Sequence, residues 1–468
     1  MVLEEDTNKN CSLLPSSEDT GPEQELEIPP WRYIIVILAT SVSAIGLSCS
    51  FAFNFAIVCK VNSTVDTYEI YQRDPSSSPV MHFSGTETSM LFSSYPLGLL
   101  FMLLVMMAIG GISCVRWSIF ISCFISSMTT ILVPPLYDWN PHTTLVLKIV
   151  QGAAVAPTIP LVGHVTAYWT IKSERGMFIS ILTSYSQVGL FFLMSTSGMI
   201  CEWFSWRGIF YFNGLVSIFT SVLWVILFRD HPFQLSRSNN NKCRKRVARV
   251  QHEAVPYKAF FTSSSVWACL IAALGNFGGI SVFMMFAPLI LKKALDITDV
   301  AASQYNTISF ILQLIFKLIS GKCSDLWISL SETSKARIFN SLSIGLAGLL
   351  AICTSFISVQ HQVVCAFLIT LVQGVIGFNS AGYNKAAVIV ARQHAHLLFT
   401  CFGLILTVVT LIQPFIVHIV APDSTWDQWS YLFLAHGVVL VISNLIFCFF
   451  INVKPAAFTE SSLLNPRP

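Results

Sequence analysis

A lysine stands at position 148, inside the apolar stretch 143–166, and Gln151 follows three residues later. At that spacing both side chains share one face of a helix. An ammonium and an amide facing the same way could hold an anion. A lysine at the centre of a membrane helix costs about 2.5–3.5 kcal/mol on insertion scales, which implies a cavity or a partner. Other apolar stretches carry single neutral polar groups: Tyr95, Tyr185, Gln187, Asn276, Asn306, Asn379 and Asn384. These could touch a solute, or they could hydrogen-bond one helix to another. His164 could titrate near neutral pH. Lys317 lies four residues from the end of its stretch, so its long side chain is expected to snorkel outward. Arg116, Glu174, Arg175 and Asp325 fall between stretches. Charges there read as a latch between helix ends, a gating role rather than a solute contact.

What is missing also bounds the chemistry. Beyond residue 30, every Asp and Glu lies in a loop, a tail or a helix mouth, and none is mid-stretch. No acid–base pair, nucleophile constellation or catalytic-sized loop is present, so an enzyme is not expected. The chain has 13 cysteines but no CxxC spacing. No metal site and no structural disulfide are expected, and most of the cysteines read as small apolar residues.

Only long helices could position such groups. Of 468 residues, 54% are hydrophobic and 11% are charged, against roughly 25% charged in a soluble domain. A water-soluble globule could not solvate its surface with so few charges. A transmembrane helix needs about 20 mostly apolar residues. Twelve stretches qualify: 33–58, 88–109, 117–136, 143–166, 176–199, 208–228, 265–290, 303–321, 338–358, 361–382, 396–419 and 430–452. They are too long for barrel strands, and a helix satisfies its own backbone in lipid. The fold class is therefore an all-α membrane protein of twelve transmembrane helices in two six-helix repeats. The predicted divisions are an acidic, disordered tail (1–30), a first bundle (31–228), a basic central loop (229–263), a second bundle (264–452) and a tail (453–468). The doublet Gly278-Gly279 predicts a flexible break in the seventh helix.

Orientation follows from Lys and Arg. With the N-terminus in the cytosol, 20 of the 27 basic residues face inward, five face outward and two lie within stretches. The run Lys242–Arg249 reads as a topology anchor. Both termini are then cytosolic, and Asn62-Ser63-Thr64 becomes a glycosylation acceptor in an outer loop, 59–87. The net charge of +3 gives no case for a nucleic-acid partner. The partners expected are the lipid bilayer and a small solute, with the chain a monomer.

Two six-helix bundles joined by a basic loop suggest a transporter whose solute sits between structural repeats. Gly321-Lys322-Cys323-Ser324-Asp325, after the eighth stretch, resembles the inner-loop motif of the major facilitator superfamily. Gly110-Gly111-Ile112-Ser113-Cys114-Val115-Arg116, after the second, is an echo that lacks the acid. Lys148-Ile149-Val150-Gln151-Gly152, Pro160, Trp169, Glu174-Arg175 and Ser205-Trp206-Arg207 resemble the pattern of solute carrier family 17. So do Val255 to Ser263, Val266-Trp267-Ala268, Ser320-Gly321 with Asp325, and Gly377-Phe378 through Ala381-Gly382. That family holds the type I sodium/phosphate cotransporters, sialin and the vesicular glutamate transporters. Gly382-Tyr383-Asn384-Lys385 with Ala391-Arg392-Gln393 resembles its divergent nematode members.

The resemblance implies a secondary transporter for a small anionic solute, organic anion or phosphate, working by alternating access in the plasma membrane or an endolysosomal or vesicular membrane. It implies no cofactor beyond a coupling ion, sodium or proton. The chain departs from the pattern in four places. The family's first-span arginine falls at about Ser50 or Ala52, its fourth-span arginine is Lys148, its fourth-span acid falls at Val155, and its Asp-x-Ala-Pro-Arg stretch after the tenth span is Ile389-Val390-Ala391-Arg392-Gln393. Weak anion selectivity and little proton coupling are expected. The alternative is a non-transporting receptor or regulator that keeps the fold.

Overall fold

The computed structural model describes residues 30–71, 85–111, 114–140, 142–230 and 256–459. Among these, the regular elements are helices. The first half contains α1 (Trp31–Tyr71), α2 (Gly85–Ile109), α3 (Val115–Trp139), α4 (Thr143–Val155), α5 (Thr158–Trp169), α6 (Arg175–Thr183) and α7 (Tyr185–Leu227). A short α8 (Tyr257–Thr262) leads into the second half. That half contains α9 (Ser264–Leu289), α10 (Asp299–Leu326), α11 (Glu332–Asn340), α12 (Leu346–Ser355), α13 (Gln362–Val375), α14 (Tyr383–Ala391), α15 (Ala395–Val420) and α16 (Trp426–Phe450).

Among the described residues, ten segments have the length and hydropathy of a membrane span. One of them, Val359–Val420, is 62 residues long and holds two crossings, α13 and α15. The shorter apolar helix Ser93–Ile109 adds another, which agrees with the twelve expected. The helices divide their faces between protein and lipid. On α2, Leu99, Leu103 and Met106 are buried, while Leu97, Phe101 and Leu104 point outward. Outward-facing apolar side chains are what a hydrocarbon solvent calls for.

The packing repeats. In the first half α2 packs on α4, α3 on α7, and α1 on α7. In the second, α10 packs on α13, α12 on α16, and α9 on α16 and α15. The second, third and first crossings of each half thus choose corresponding partners. This is the pattern of one six-helix unit used twice.

Local chemistry sets the departures from the expected boundaries. α1 runs on to Tyr71, past the predicted end at residue 58. No Gly or Pro lies between Val58 and Tyr71 to stop it. Asn62 therefore falls on this helical extension rather than in a loop. The fourth crossing is cut into α4 and α5 where Pro157 supplies no N–H. The fifth and sixth are joined in α7, and the expected loop shrinks to Ser205 at φ 67°. A left-handed non-glycine residue needs support from its surroundings. Trp206 packs edge-on to Tyr137 and Phe210, and Arg207 pairs with Asp138 at 2.9 Å.

The structure departs from two expectations. Gly278-Gly279 is not a break, because α9 is unbroken from Ser264 to Leu289. A Cβ at Gly279 would lie 2.2 Å from Leu440 Cγ, so this glycine admits a side chain of α16. The chain also contains a disulfide, since Cys201 is disulfide-bonded. A cysteine with no nearby cysteine in sequence gives no local sign of such a bond. The acidic tail, the basic run 242–249 and residues beyond 459 lie outside the described residues.

Candidate functional site

The polar residues singled out from sequence fall into two groups, one inside the first half and one at the boundary between halves. Lys148 belongs to the first. It is 3% exposed, and its Nζ donates to the Ser50 carbonyl at 2.7 Å and to Gln151 Oε1 at 3.2 Å. Gln151 in turn donates to Thr130 Oγ1 at 2.8 Å, and the ammonium lies 5.3 Å from the centre of the Phe53 ring. The expected pairing of Lys148 with Gln151 is present. Its ammonium reaches α1 at Ser50, one of the two positions where the resemblance places a missing arginine. One cation thus serves that region from a different helix.

The second group ties the halves together. It follows a face of α10 on which Asn306, Ser309, Gln313, Lys317, Ser320 and Ser324 are all buried, at spacings of three and four. Opposite lie α6 and the start of α7. Gln187 Nε2 donates to Gln313 Oε1 at 2.8 Å. Lys317 Nζ donates to the Thr183 carbonyl at 2.9 Å and to Gln187 Oε1 at 3.2 Å. Ser180 donates to Ser380 Oγ at 2.9 Å, which is also 2.9 Å from Ser320 Oγ. Lys317 does not snorkel to the helix end as expected. It is 4% exposed and points across to the other half. The distance of Lys317 from the helix end suggested snorkelling. The oxygens offered by α6 and α7 override it.

The ladder ends at Asp325, which joins the halves. The Asp325 carboxylate accepts from the Gly176 and Met177 N–H groups, both at 2.8 Å. Those are unpaired donors at the start of α6, where the helix dipole favours an anion. Close approach requires glycine on both sides: a Cβ at Gly176 would sit 2.7 Å from Asp325 Oδ1, and one at Gly321 2.2 Å from Ser180 Oγ. Lys385 joins Asp325 at 3.3 Å, Glu332 at 3.1 Å and Ser324 at 2.9 Å. Arg175 lies within electrostatic reach of Glu332, Arg392 and Asp325.

The other expected gating residues work within one half. Glu174 pairs with Arg32 at 3.1 Å and accepts from the Tyr33 hydroxyl at 2.7 Å. Arg116 donates to the Val225 carbonyl at 2.7 Å, and its N–H bonds Asp230 at 2.9 Å. Both are local braces. The echo loop makes its cross-half contact through glycine instead. The Gly110 carbonyl is 3.4 Å from His396 Nε2, and a Cβ at Gly111 would be 2.7 Å from the same atom. Tyr257 adds a further tie by donating to the Met107 carbonyl. Burial, with a smaller push from Cys401, raises its pKa, so the phenol remains a donor at neutral pH.

The remaining expected contacts are divided. Asn379 Nδ2 donates to Asn276 Oδ1 at 3.2 Å, which joins two helices of the second half. Asn379 Oδ1 and Asn306 Oδ1 are buried without a partner. Tyr185 lies within electrostatic reach of Tyr95 on one side and Tyr383 on the other. Lys385, Ser180, Ser380 and His396 were missed from sequence. The signal available for Lys385 was a cation three residues past the end of the tenth stretch, which a loop residue also gives. Among the described residues, no group of three or more His, Cys, Asp or Glu side chains could hold a metal ion. The cross-half hydrogen bonds of α10 run from Gln187–Gln313 to Asp325 and hold the halves together there.

Residues 33–396 match the Major Facilitator Superfamily. The chain belongs to that superfamily. Sodium-dependent phosphate transport protein 1 of Mus musculus is 21% identical over 89% of this chain and 93% of its own length. Human sialin is 22% identical over 69% of this chain and 67% of its own. Both fit the expected likeness to solute carrier family 17. The proton:xylose symporter XylE, bound to 6-bromo-6-deoxy-D-glucose, superposes with a TM-score of 0.65 at 13% identity, covering 92% of this chain and 99% of that one. A bacterial homologue of the iron transporter ferroportin, in an outward-facing state with soaked iron, gives 0.63 at 15% identity, covering 89% and 98%. These likenesses show the fold. The chain is a multi-pass membrane transporter of the superfamily.

Proposed function

We propose that this facilitator carries a small anionic solute by alternating access. The observation that carries the reading is the boundary between halves. One hydrogen-bonded ladder closes one end, and buried lysines offer positive charge where no Asp or Glu stands mid-span. Alternating access needs a tie that can break as the halves rock, and this tie is polar and shared between them. Anion preference is supported by Lys148 and Lys317 and by the names of the phosphate-transport relatives. Of the two coupling ions, sodium fits better than a proton: those names carry sodium dependence, and no Asp or Glu lies mid-span. A receptor that has lost transport is not favoured, because the relatives that match over most of the chain are transporters.

The chain works as a monomer, with both termini and the Asp325 end in the cytosol, in a plasma, lysosomal or vesicular membrane. The Lys and Arg distribution supports this orientation. The disulfide-bonded Cys201 adds to it, since such bonds persist on the oxidising side. Asn62 is then on the glycosylated side.

Counterflow in proteoliposomes tests the proposal. Vesicles are loaded with unlabelled phosphate, urate, glutamate, sialate, sulfate or nucleotide, and uptake of the same labelled anion is followed. Saturable accumulation with at least one anion is expected. Silence across the panel, from folded and correctly inserted protein, would overturn the anionic assignment.

A further inference from the structure

Lys317 is the charged member of the cross-half ladder, and its surroundings differ from those of an ordinary buried lysine. An ammonium has three donors and no acceptor. Its two hydrogen-bond acceptors are neutral: the Thr183 carbonyl at the end of α6 and the Gln187 amide oxygen. Among the described residues no carboxylate pairs with it. The nearest charges on its own helix are Lys322 and Asp325, and Asp325 is committed to the α6 N-terminus and Lys385. Burying an unpaired cation is costly. Two neutral oxygens compensate for part of that cost, and one donor is left over.

The position matters as much as the charge. Lys148 binds only groups of its own half, whereas Lys317 reaches from α10 across to α6 and α7. Gln313 lies one turn before it on the same face, already bonded to Gln187. Asn306 continues that face, with a buried, unpartnered Oδ1. A solute lodged here would meet an ammonium and amides from both halves. The ammonium already makes its present bonds charge-assisted, and a carboxylate or phosphate adds the attraction of a full opposite charge that a neutral oxygen lacks. An anion would therefore displace Thr183 and Gln187 from Lys317.

We infer that Lys317 is the solute's cationic contact at the boundary between halves, where a carboxylate or phosphate group replaces the Thr183 carbonyl and the Gln187 amide as its partner. The inference rests on the anion-transport reading above and names the residue that reads the negative charge. It also gives the solute a way to promote transport. Taking Lys317 from α6 and α7 removes a tie that holds the halves shut at the Asp325 end. A ligand shifts such an equilibrium only by binding one state better than the other. Loss of the Lys317–Thr183 bond supplies that difference.

The test uses the full chain in proteoliposomes with the same panel, and three variants. Lys317→Gln keeps donors for Thr183 and Gln187 but has no charge. Lys317→Arg keeps the charge. Lys317→Ala removes both. If Lys317 binds the solute, Lys317→Gln raises the KM for the transported anion about tenfold or more. Lys317→Arg then stays near the wild-type KM, while a neutral tie would leave Lys317→Gln like wild type. A Lys317→Gln protein with unchanged KM overturns the inference and leaves anion transport standing. A wild-type protein silent with every panel anion overturns the parent reading, and the inference with it. If Lys317→Ala fails to insert, the Gln and Arg pair still decides.

Discussion

Replacing Asp325 by asparagine removes the charge of the latch while keeping its size. The carboxylate takes two N–H bonds of 2.8 Å at the start of α6, from Gly176 and Met177. Its side chain is 5% exposed, so water does not compete there. Hydrogen bonds to a charged group are worth about 1.5–3 kcal/mol each. An asparagine can keep one neutral bond, and its amide nitrogen then faces a second N–H with nothing to accept it. The helix dipole loses its anion as well, about 0.3–1 kcal/mol. Lys385 still has Glu332 and Ser324. The net loss to the shut state is about 3 kcal/mol, which is on the order of 100-fold in the ratio of shut to open at this end. Spin labels at the exposed positions Ser173 and Lys322, in a background without the exposed cysteines, would report the separation of the halves. The wild type should give one short-distance population, and Asp325→Asn a new, longer one. An unchanged distance distribution in the variant would refute the latch.

Other expectations follow from the same contacts. Gly176→Ala places a Cβ against Asp325 and the Gly321 carbonyl, both 2.7 Å away, so it should open the same end without altering a charge; the label pair above checks it. Gly279→Ala overpacks the contact with Leu440, where a Cβ would stand at 2.2 Å, and should lower stability by about 1–3 kcal/mol, read as a fall in detergent melting temperature. Lys148→Ala leaves the Ser50 carbonyl and Gln151 without their cation and should reduce anion counterflow at least tenfold at subsaturating solute. Cys201→Ser should lower the melting temperature, and a reductant should lower that of the wild type but not of the variant.

The spans were legible in the sequence because the lipid requirement is local: about 20 apolar residues in a row announce a helix. The two-repeat plan followed from their count and from the basic break between them. Lys148 with Gln151 was legible for the same reason, since three residues on one helix fix a shared face. The ladder was not. Lys317 and Thr183 are 134 positions apart, and Asp325 and Gly176 are 149 apart. No pattern within one helix says which residue of another it will meet. Arg116 and Glu174 looked like latch residues by their place in loops, yet they brace their own half, and glycine and His396 make the contact instead. The break expected at Gly278-Gly279 failed for a related reason. A small residue marks close approach as readily as flexibility, and only Leu440 on α16 shows which applies.

Exchange across the bilayer tests whether the protein carries an anion by alternating access. Proteoliposomes are preloaded with the labelled panel anion, and its efflux is timed with and without the same unlabelled anion outside. A carrier that must reorient between sides predicts efflux accelerated by the outside solute, saturating as its concentration rises. Efflux that is absent, or indifferent to the outside solute at every concentration, would contradict the account.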